Sequence, residues 1–320
     1  MPKTGLAVAI LIALIFSACT KAKVNESKSF LASSSPIRYL DSIFSSSDSL
    51  VNQVYRVAKD YKGQNDSLKY DYYGPHGDTS RARPFIIFIN GGAFSVLNRK
   101  EMDSLCKQYN KYGYATATID YRIGFNDLNA PGASPSDFYG AIYRAIQDVR
   151  AFIRFAKTNY VWAKIDTTRI ILYGVSAGAV SALHAAYLQQ AEVPANFNID
   201  SLGLLDGTGP YDYPGHSTIF KYVVSISGAL IDSSWIGSGD ISAICAHGIT
   251  DTVIHKGLGQ SHMGPFSFNG FGDSSVAARL TNLNILSYIK LYNAGHALSS
   301  ADHLDFDIIL HNLLYEHLFL

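Results

Sequence analysis

Along most of the chain, short apolar runs of strand length alternate with longer stretches of helical period. Phe85-Ile86-Ile87-Phe88-Ile89 contains no polar residue and is bounded by Pro84 and by Asn90-Gly91-Gly92, the pattern of a strand buried on both faces. Ala115–Ile119, Arg169–Tyr173, Tyr222–Ile226, Ile241–Ala246 and Leu286–Tyr292 have the same character, and these six runs are the expected sheet. Between them, Phe138–Asn159 sets Ile142, Ala145, Ile146, Val149, Phe152, Ile153 and Phe155 on one stripe, which predicts a helix packed on that sheet. Ala177–Gln190 and Leu304–Leu318 are further helix candidates, and Val54–Ala58 with Ser67–Tyr73 predict antiparallel edge strands ahead of the parallel part. Strands alternating with helices in this way predict an α/β architecture, a mostly parallel central sheet flanked by helices on both faces. Residues 203–220 hold many Gly, Pro and Tyr but no period, so a long loop or small cap is expected there.

The N-terminus departs from this alternation. Lys3, the apolar stretch Leu6–Phe16 and the small residues Ser17-Ala18 ahead of Cys19 have the order of an export signal over residues 1–19. The apolar stretch falls short of the roughly 20 residues that a spanning helix needs. Phe16-Ser17-Ala18-Cys19 resembles a bacterial lipobox, which implies cleavage before Cys19, a lipid on that cysteine and a membrane anchor in the cell envelope. Phe16 stands where leucine is usual, so ordinary signal cleavage stays open. Residues 20–36 are polar and rich in Lys and Ser, as a flexible tether would be, and 37–320 are expected to form one domain. Cys106 and Cys245 then remain, and two cysteines so far apart indicate core thiols sooner than a disulfide or a metal site.

Composition changes the picture only by exclusion. With 48% hydrophobic and 16% charged residues the chain is a folded globular protein. Lys+Arg and Asp+Glu both number 26, and no basic run is interleaved with aromatics, so no nucleic-acid partner is expected.

The candidate chemistry is concentrated in a few segments. Gly174-Val175-Ser176-Ala177-Gly178 follows the predicted strand Ile170–Tyr173 and opens a predicted helix. In that context a G-x-S-x-G match reads as a nucleophile elbow, a sharp turn that lifts the Ser176 hydroxyl above the sheet. A serine nucleophile needs a base, and the base needs a carboxylate to fix its tautomer. Asp251 lies in the loop after the strand Ile241–Cys245, at the edge where active sites of open α/β sheets gather. Of the histidines after Asp251, His296 directly follows the last strand, whereas His303, His311 and His317 fall in or beside the terminal helix and His255 and His262 in a Gly-rich connection. That makes His296 the candidate base. Gly92 and Ala93, after the Phe85–Ile89 strand, together with Ala177 beside the serine, are the candidate oxyanion donors through their backbone N–H groups. Gly91, Gly174 and Gly178 are the supporting turn residues.

In order, Asn90-Gly91-Gly92-Ala93, Asp120-Tyr121-Arg122, Gly174-Val175-Ser176-Ala177-Gly178, His247-Gly248 with Asp251, and Gly295-His296 resemble the segments of esterases of the α/β-hydrolase superfamily, in the carboxylesterase and hormone-sensitive-lipase-like branch. The resemblance spans about residues 66–300. It departs from the family pattern at Asn90, where His is usual, and at Ala93, where a third Gly is common. It implies attack by Ser176 on an ester carbonyl, an acyl-enzyme intermediate and hydrolysis by water, with no metal or organic cofactor. Asp120 and Arg122 are read as structural, an ion pair or a turn near the active edge. The expected substrate is a small-molecule or carbohydrate ester with a short acyl chain, acetyl and feruloyl groups among them, and Phe94, Tyr139, Tyr211 and Tyr213 are candidates to line its pocket. Two other readings share the motifs. A prolyl-oligopeptidase-type peptidase has the same triad order but normally carries an additional large domain for which this chain has no room, and a hydrolase-fold binding module would have no need of intact Ser, Asp and His.

Overall fold

In chain order the elements of this computed structural model are β1 (Ser47–Lys59), β2 (Asn65–Pro75), β3 (Arg83–Ile89), α1 (Asp103–Lys111), β4 (Ala115–Ile119), α2 (Pro135–Thr158), α3 (Tyr160–Ala163), β5 (Ile165–Val175), α4 (Ala177–Tyr187), β6 (Tyr222–Ile226), β7 (Ala229–Leu230), β8 (Ser242–Gly248), β9 (Leu258–Met263), β10 (Phe266–Gly272), α5 (Asp273–Asn282), β11 (Ser287–Tyr292) and α6 (Ser300–Phe319). The structure describes residues 36–124, 135–197, 203–204, 212–263 and 266–320. The expected signal, Cys19, nearly all of the expected tether and Tyr211 lie outside these.

The main sheet has the order β1-β2-β4-β3-β5-β6-β8-β11. The first two pairings, β1 with β2 and β2 with β4, are antiparallel; every later pairing is parallel. The six apolar runs are thus the parallel strands, and the upstream pair is the antiparallel edge. Two separate cores cover the sheet. On one face Phe85, Ile87, Ile170 and Leu172 pack with Ile142, Ile146 and Phe152 of α2, Val180 and Leu183 of α4, and Val276 and Leu280 of α5. On the other, Ile86, Phe88, Ile171 and Tyr173 pack with Cys106 and Tyr109 of α1 and with Phe306, Leu310 and Leu314 of α6. Strand residues alternate between the two cores because successive side chains leave opposite faces of a strand. The expected architecture, a mostly parallel sheet with helices on both faces, is therefore the observed one.

Position follows from topology. The chain leaves β3 toward β4 on one side and returns to β5 on the other, so the carboxyl ends of β3 and β5 face each other across the point where strand order reverses. A crevice opens at such a point, outside the strand ends.

Some of the layout was not expected. Helices α1 and α5 fall between predicted strands, and a second sheet of order β7-β10-β9 is inserted between β6 and α5. Only part of 203–220 is described, and residues 212–220 form neither helix nor strand as they run into β6. Cys106 and Cys245 are both free, and they belong to opposite cores.

One buried acid is out of keeping with its surroundings. Asp307 on α6 is 6% exposed, and the hydroxyls of Tyr109 and Tyr173 donate to its Oδ1 at 3.4 Å each. Burial pushes this carboxyl up to about 6 against the pull of those two hydroxyls. The protonated form favours the folded state at low pH, and that contribution is lost as pH rises through about 6. Asp307→Asn should therefore stabilise the fold by about 1–3 kcal/mol at pH 8 and by about half as much at pH 5, checked by thermal unfolding at both. Equal gains at the two pH values would contradict a buried acid as the cause.

Candidate active site

β5 runs fully buried through Ile170–Tyr173 and ends at Val175, after which Ser176 takes φ 53 and ψ −120 before α4 starts. A non-glycine residue at such a φ is strained and stays there only if its surroundings hold it. Here the Ser176 N–H donates to Ile226 O at the end of β6, 2.8 Å away. The turn also needs bare backbone beside it. A Cβ on Gly178 would lie 2.1 Å from Ile89 O, and one on Gly174 would lie 2.4 Å from Gly178 O. Gly91 faces the serine itself, since a Cβ there would sit 3.2 Å from Ser176 Cβ.

The Ser176 hydroxyl lies 2.8 Å from His296 Nε2. On its other side, His296 Nδ1 is 2.8 Å from Asp251 Oδ2. Because the carboxylate only accepts, Nδ1 carries the proton and Nε2 presents a lone pair to the hydroxyl. The Asp251 side chain is inaccessible and His296 is 24% exposed, so the dyad meets solvent through the histidine alone. Asp251 Oδ1 accepts the N–H groups of Val253 and Ile254 at 2.8 and 2.9 Å. Burial alone would favour the neutral acid, but hydrogen bonds from His247, His296 and Ile254 outweigh it and hold Asp251 below the usual carboxylate range. The two loops are joined at Ala294 O, which accepts from the N–H and the hydroxyl of Thr250 at 3.1 and 2.8 Å. Ser227 Oγ donates to His296 O at 3.0 Å and so fixes the backbone of the histidine.

Next to the serine, the loop after β3 has three successive positive φ values, Gly92 at 123, Ala93 at 50 and Phe94 at 58. The N–H groups of Ser95 and Val96 both donate to Gly92 O at 2.9 Å and close the loop into a tight turn. No side chain fits at Gly92, where a Cβ would meet Val96 O at 2.1 Å. Phe94 anchors the loop, fully buried between Tyr121 and Phe138. The N–H groups of Gly92, Ala93 and Ala177 donate to no acceptor among the described residues, which leaves them for a ligand. Asn90, where the family usually has His, donates from Nδ2 to Gly91 O at 2.7 Å, while Tyr121 OH donates to Asn90 O at 3.1 Å. Its side chain thus braces the loop backbone and leaves the donor N–H groups alone.

The remaining candidates fall as follows. Asp120 and Arg122 do not pair with each other: Asp120 accepts from Arg99 at 3.0 Å, and Arg122 donates to Asp148 at 2.9 Å and to Gln147 at 2.7 Å. The two carry their charges to different partners, Arg99 for Asp120 and Asp148 for Arg122, and form no ion pair with each other. His262 is on strand β9, bonded to Ser267 Oγ at 2.8 Å, and His311 of α6 donates to Leu40 O at 2.9 Å. Tyr139 stacks on Phe197 at 4.8 Å, and Tyr213 packs on Phe155 and donates to Tyr55 O of β1.

Two residues at the site carried no role in the sequence reading, His247 and Asp273. His247 is the penultimate residue of β8, and its Nδ1 is 2.7 Å from Asp273 Oδ2 at the start of α5 while its Nε2 is 3.2 Å from Asp251 Oδ2. The His247-Gly248 pair was visible as a motif; nothing in the chain around Asp273 marked it.

The comparisons with known proteins agree with this layout. The BD-FAE family model matches residues 70–229. Gut esterase 1 of Caenorhabditis elegans is 28% identical over 100 residues, 31% of this chain and 17% of that protein, so the match spans about a sixth of the relative's length. Thermogutta terrifontis esterase 2 phosphorylated by paraoxon is similar in structure with a TM-score of 0.64 at 15% identity, covering 85% of this chain and 95% of that one. The butyrate-bound form of the same esterase gives 0.59 at 15% identity, covering 82% and 94%. At such identities the likeness is one of fold.

The strain at Ser176 is testable apart from chemistry. Ser176→Gly should be about 1 kcal/mol more stable than Ser176→Ala in denaturant unfolding, since only glycine relaxes at this φ. An alanine variant as stable as the glycine one would show that the turn is not strained.

Proposed function

The chain belongs to the BD-FAE family, and on that premise we propose that it is a serine hydrolase of carboxylic esters with Ser176 as nucleophile, His296 as base and Asp251 as the carboxylate that orients it. The observation that carries this reading is the unbroken line from Ser176 Oγ to His296 Nε2 and from His296 Nδ1 to Asp251 Oδ2, 2.8 Å at each step, on a turn held at positive φ.

In this reading His296 Nε2 takes the hydroxyl proton as Ser176 Oγ attacks the ester carbonyl. Negative charge develops on the former carbonyl oxygen, and this reading assigns it the N–H groups of Gly92, Ala93 and Ala177, which donate to no acceptor among the described residues. The imidazolium of His296 then protonates the departing alcohol, leaving Ser176 acylated. Water, deprotonated by His296 in turn, releases the acid. Throughout, Asp251 keeps Nδ1 protonated, so that Nε2 alone exchanges the proton.

The substrate is proposed as an ester of a short acyl group, with acetyl and feruloyl groups on carbohydrates as candidates. The solved relative, known in propionate-bound and butyrate-bound forms and phosphorylated by paraoxon, supports the short acyl group. Phe138 packs against Phe94 of the donor loop and against Phe266 and Phe268 of β10, an aromatic cluster that would bound the acyl side. For location the proposal rests on the leader sequence alone: export, and a lipid on Cys19 that anchors the enzyme to a membrane of the cell envelope. Among the described residues no helix is long and apolar enough to cross a membrane.

Hydrolysis of p-nitrophenyl acetate and butyrate tests the activity. Ser176→Ala and His296→Ala should each lower kcat by more than about ten-thousandfold, while His303→Ala on α6 should stay within about twofold of the wild type. A His296→Ala variant that kept its activity while His303→Ala lost it would overturn the assignment of the base. For the anchor, Cys19→Ser should move the protein from the detergent-rich to the aqueous phase in detergent partitioning of expressing cells; an unchanged distribution would rule out lipidation at Cys19.

A further inference from the structure

Behind the triad lies a second ion cluster. His247 is fully buried. Its Nδ1 is 2.7 Å from Asp273 Oδ2, and its Nε2 is 2.9 Å from Ile254 O and 3.2 Å from Asp251 Oδ2. Every one of these neighbours is an acceptor. A neutral imidazole would press its lone pair against an oxygen lone pair on one side or the other, and only the doubly protonated ring satisfies both sides. Asp273 is equally enclosed: Ser225 Oγ donates to its Oδ1 at 2.5 Å, the Gly228 N–H donates to its Oδ2 at 2.9 Å, and it is the first residue of α5, where the helix end favours an anion.

Asp251 Oδ2 therefore receives two imidazole N–H groups, from His296 and from His247. We infer that His247, held as an imidazolium between Asp251 and Asp273, is a positioning residue for the proposed reaction, one whose fixed positive charge pins the Asp251 carboxylate and moderates the negative field at His296. This inference rests on the proposed triad. Without a positive charge between them, Asp251 and Asp273 would set two negative charges behind His296, and a larger negative field favours an imidazolium over an imidazole. With His247 charged, the cluster behind His296 carries a single net negative charge, enough to stabilise the imidazolium formed during attack. The ionisable groups facing this cluster are Asp251 on the loop after β8, Asp273 on α5 and the buried Cys245 on β8, a thiol that burial pushes up and so keeps neutral. β6 contributes the hydroxyls of Ser225 and Ser227. Although burial by itself lowers the basicity of His247, its bonds to Asp251 and Asp273 raise it to about 10, in keeping with the geometry.

The test has a direct arm and a kinetic arm. In the wild-type protein with 15N-labelled histidine, NMR should show both ring nitrogens of His247 protonated from about pH 5 to about pH 8.5, without titration in that range. An unprotonated His247 nitrogen at the upper end would overturn the inference, and this arm needs no variant to fold. In the kinetic arm, His247→Gln should shift the acid limb of the kcat/KM profile upward by about one pH unit, because His296 then holds its proton more tightly. In that variant Ser225, Gly228 and the start of α5 still hold the Asp273 carboxylate. kcat should fall on the order of tenfold with KM within about twofold, as expected of misplacement near the base. The double variant His247→Gln/Asp273→Asn removes one charge of each sign and should return the limb to the wild-type position. A loss of kcat with no movement of the limb in the single variant would mark His247 as merely structural and overturn the inference. A wild-type protein that hydrolyses no ester would instead overturn the proposed function, with the NMR arm still reading the charge on His247.

Discussion

Ser176 sits between the end of β5 and the start of α4 at a φ of 53, a conformation that a free serine would leave. It is held there by the hydrogen bond from its N–H to Ile226 O and by the contact of α4 with the end of β3, where Gly178 lies against Ile89 O. These two contacts tie the serine to the strands on either side of β5. The geometry of the site is thus a consequence of sheet register: β3 aligns Ile89 with Gly174, and β6 aligns Ile226 with Val175. If either register slipped, the serine would lose one of these supports, and a slip of β3 would also move Gly91 away from it.

Charge is arranged around that fixed point in layers of decreasing mobility. Ser176 and His296 are partly exposed, whereas the Asp251 side chain behind them is inaccessible, and the proposed reaction passes the proton between the first two. Asp251 behind it has all of its accepting positions occupied, by two backbone N–H groups and two imidazoles. Asp273 and His247 lie deeper still, on α5 and β8, and connect the acid loop to the packed part of the fold. An ion pair buried in this way is poor evidence of stability, because desolvation offsets much of the attraction. What it does supply is a single arrangement of the Asp251 loop.

Much of this was legible in the chain. Phe85–Ile89 is so uniformly apolar that burial on both faces is its only economical reading, whereas Leu286–Tyr292, expected to have the same character, carries Ser287 and Lys290 and forms the edge strand β11, buried only at Tyr292; the elbow glycines follow from the turn they flank. Helix α1 was missed because Asp103–Lys111 buries only Cys106, Tyr109 and Asn110, too sparse a stripe to stand out. Helix α5 is similar, with Val276, Ala277 and Leu280 as its only buried apolar residues. The β9–β10 hairpin alternates buried and exposed positions through Ser, Gly and His, which masks its period. Ion pairs were the least legible. Arg99 finds Asp120, and Arg122 finds Asp148, across separations that only the folded sheet closes. His247 was visible as part of a motif, but its partner Asp273 lies 26 residues further on, beyond the inserted hairpin.

In the proposed reaction Ser176 is the hydroxyl that His296 activates. Incubation with a fluorophosphonate followed by intact-mass and peptide mass spectrometry tests it most directly. The account predicts a single adduct per chain, on the peptide carrying Ser176, and none in Ser176→Ala. An adduct on another residue, or no adduct on a folded wild-type protein, would contradict it.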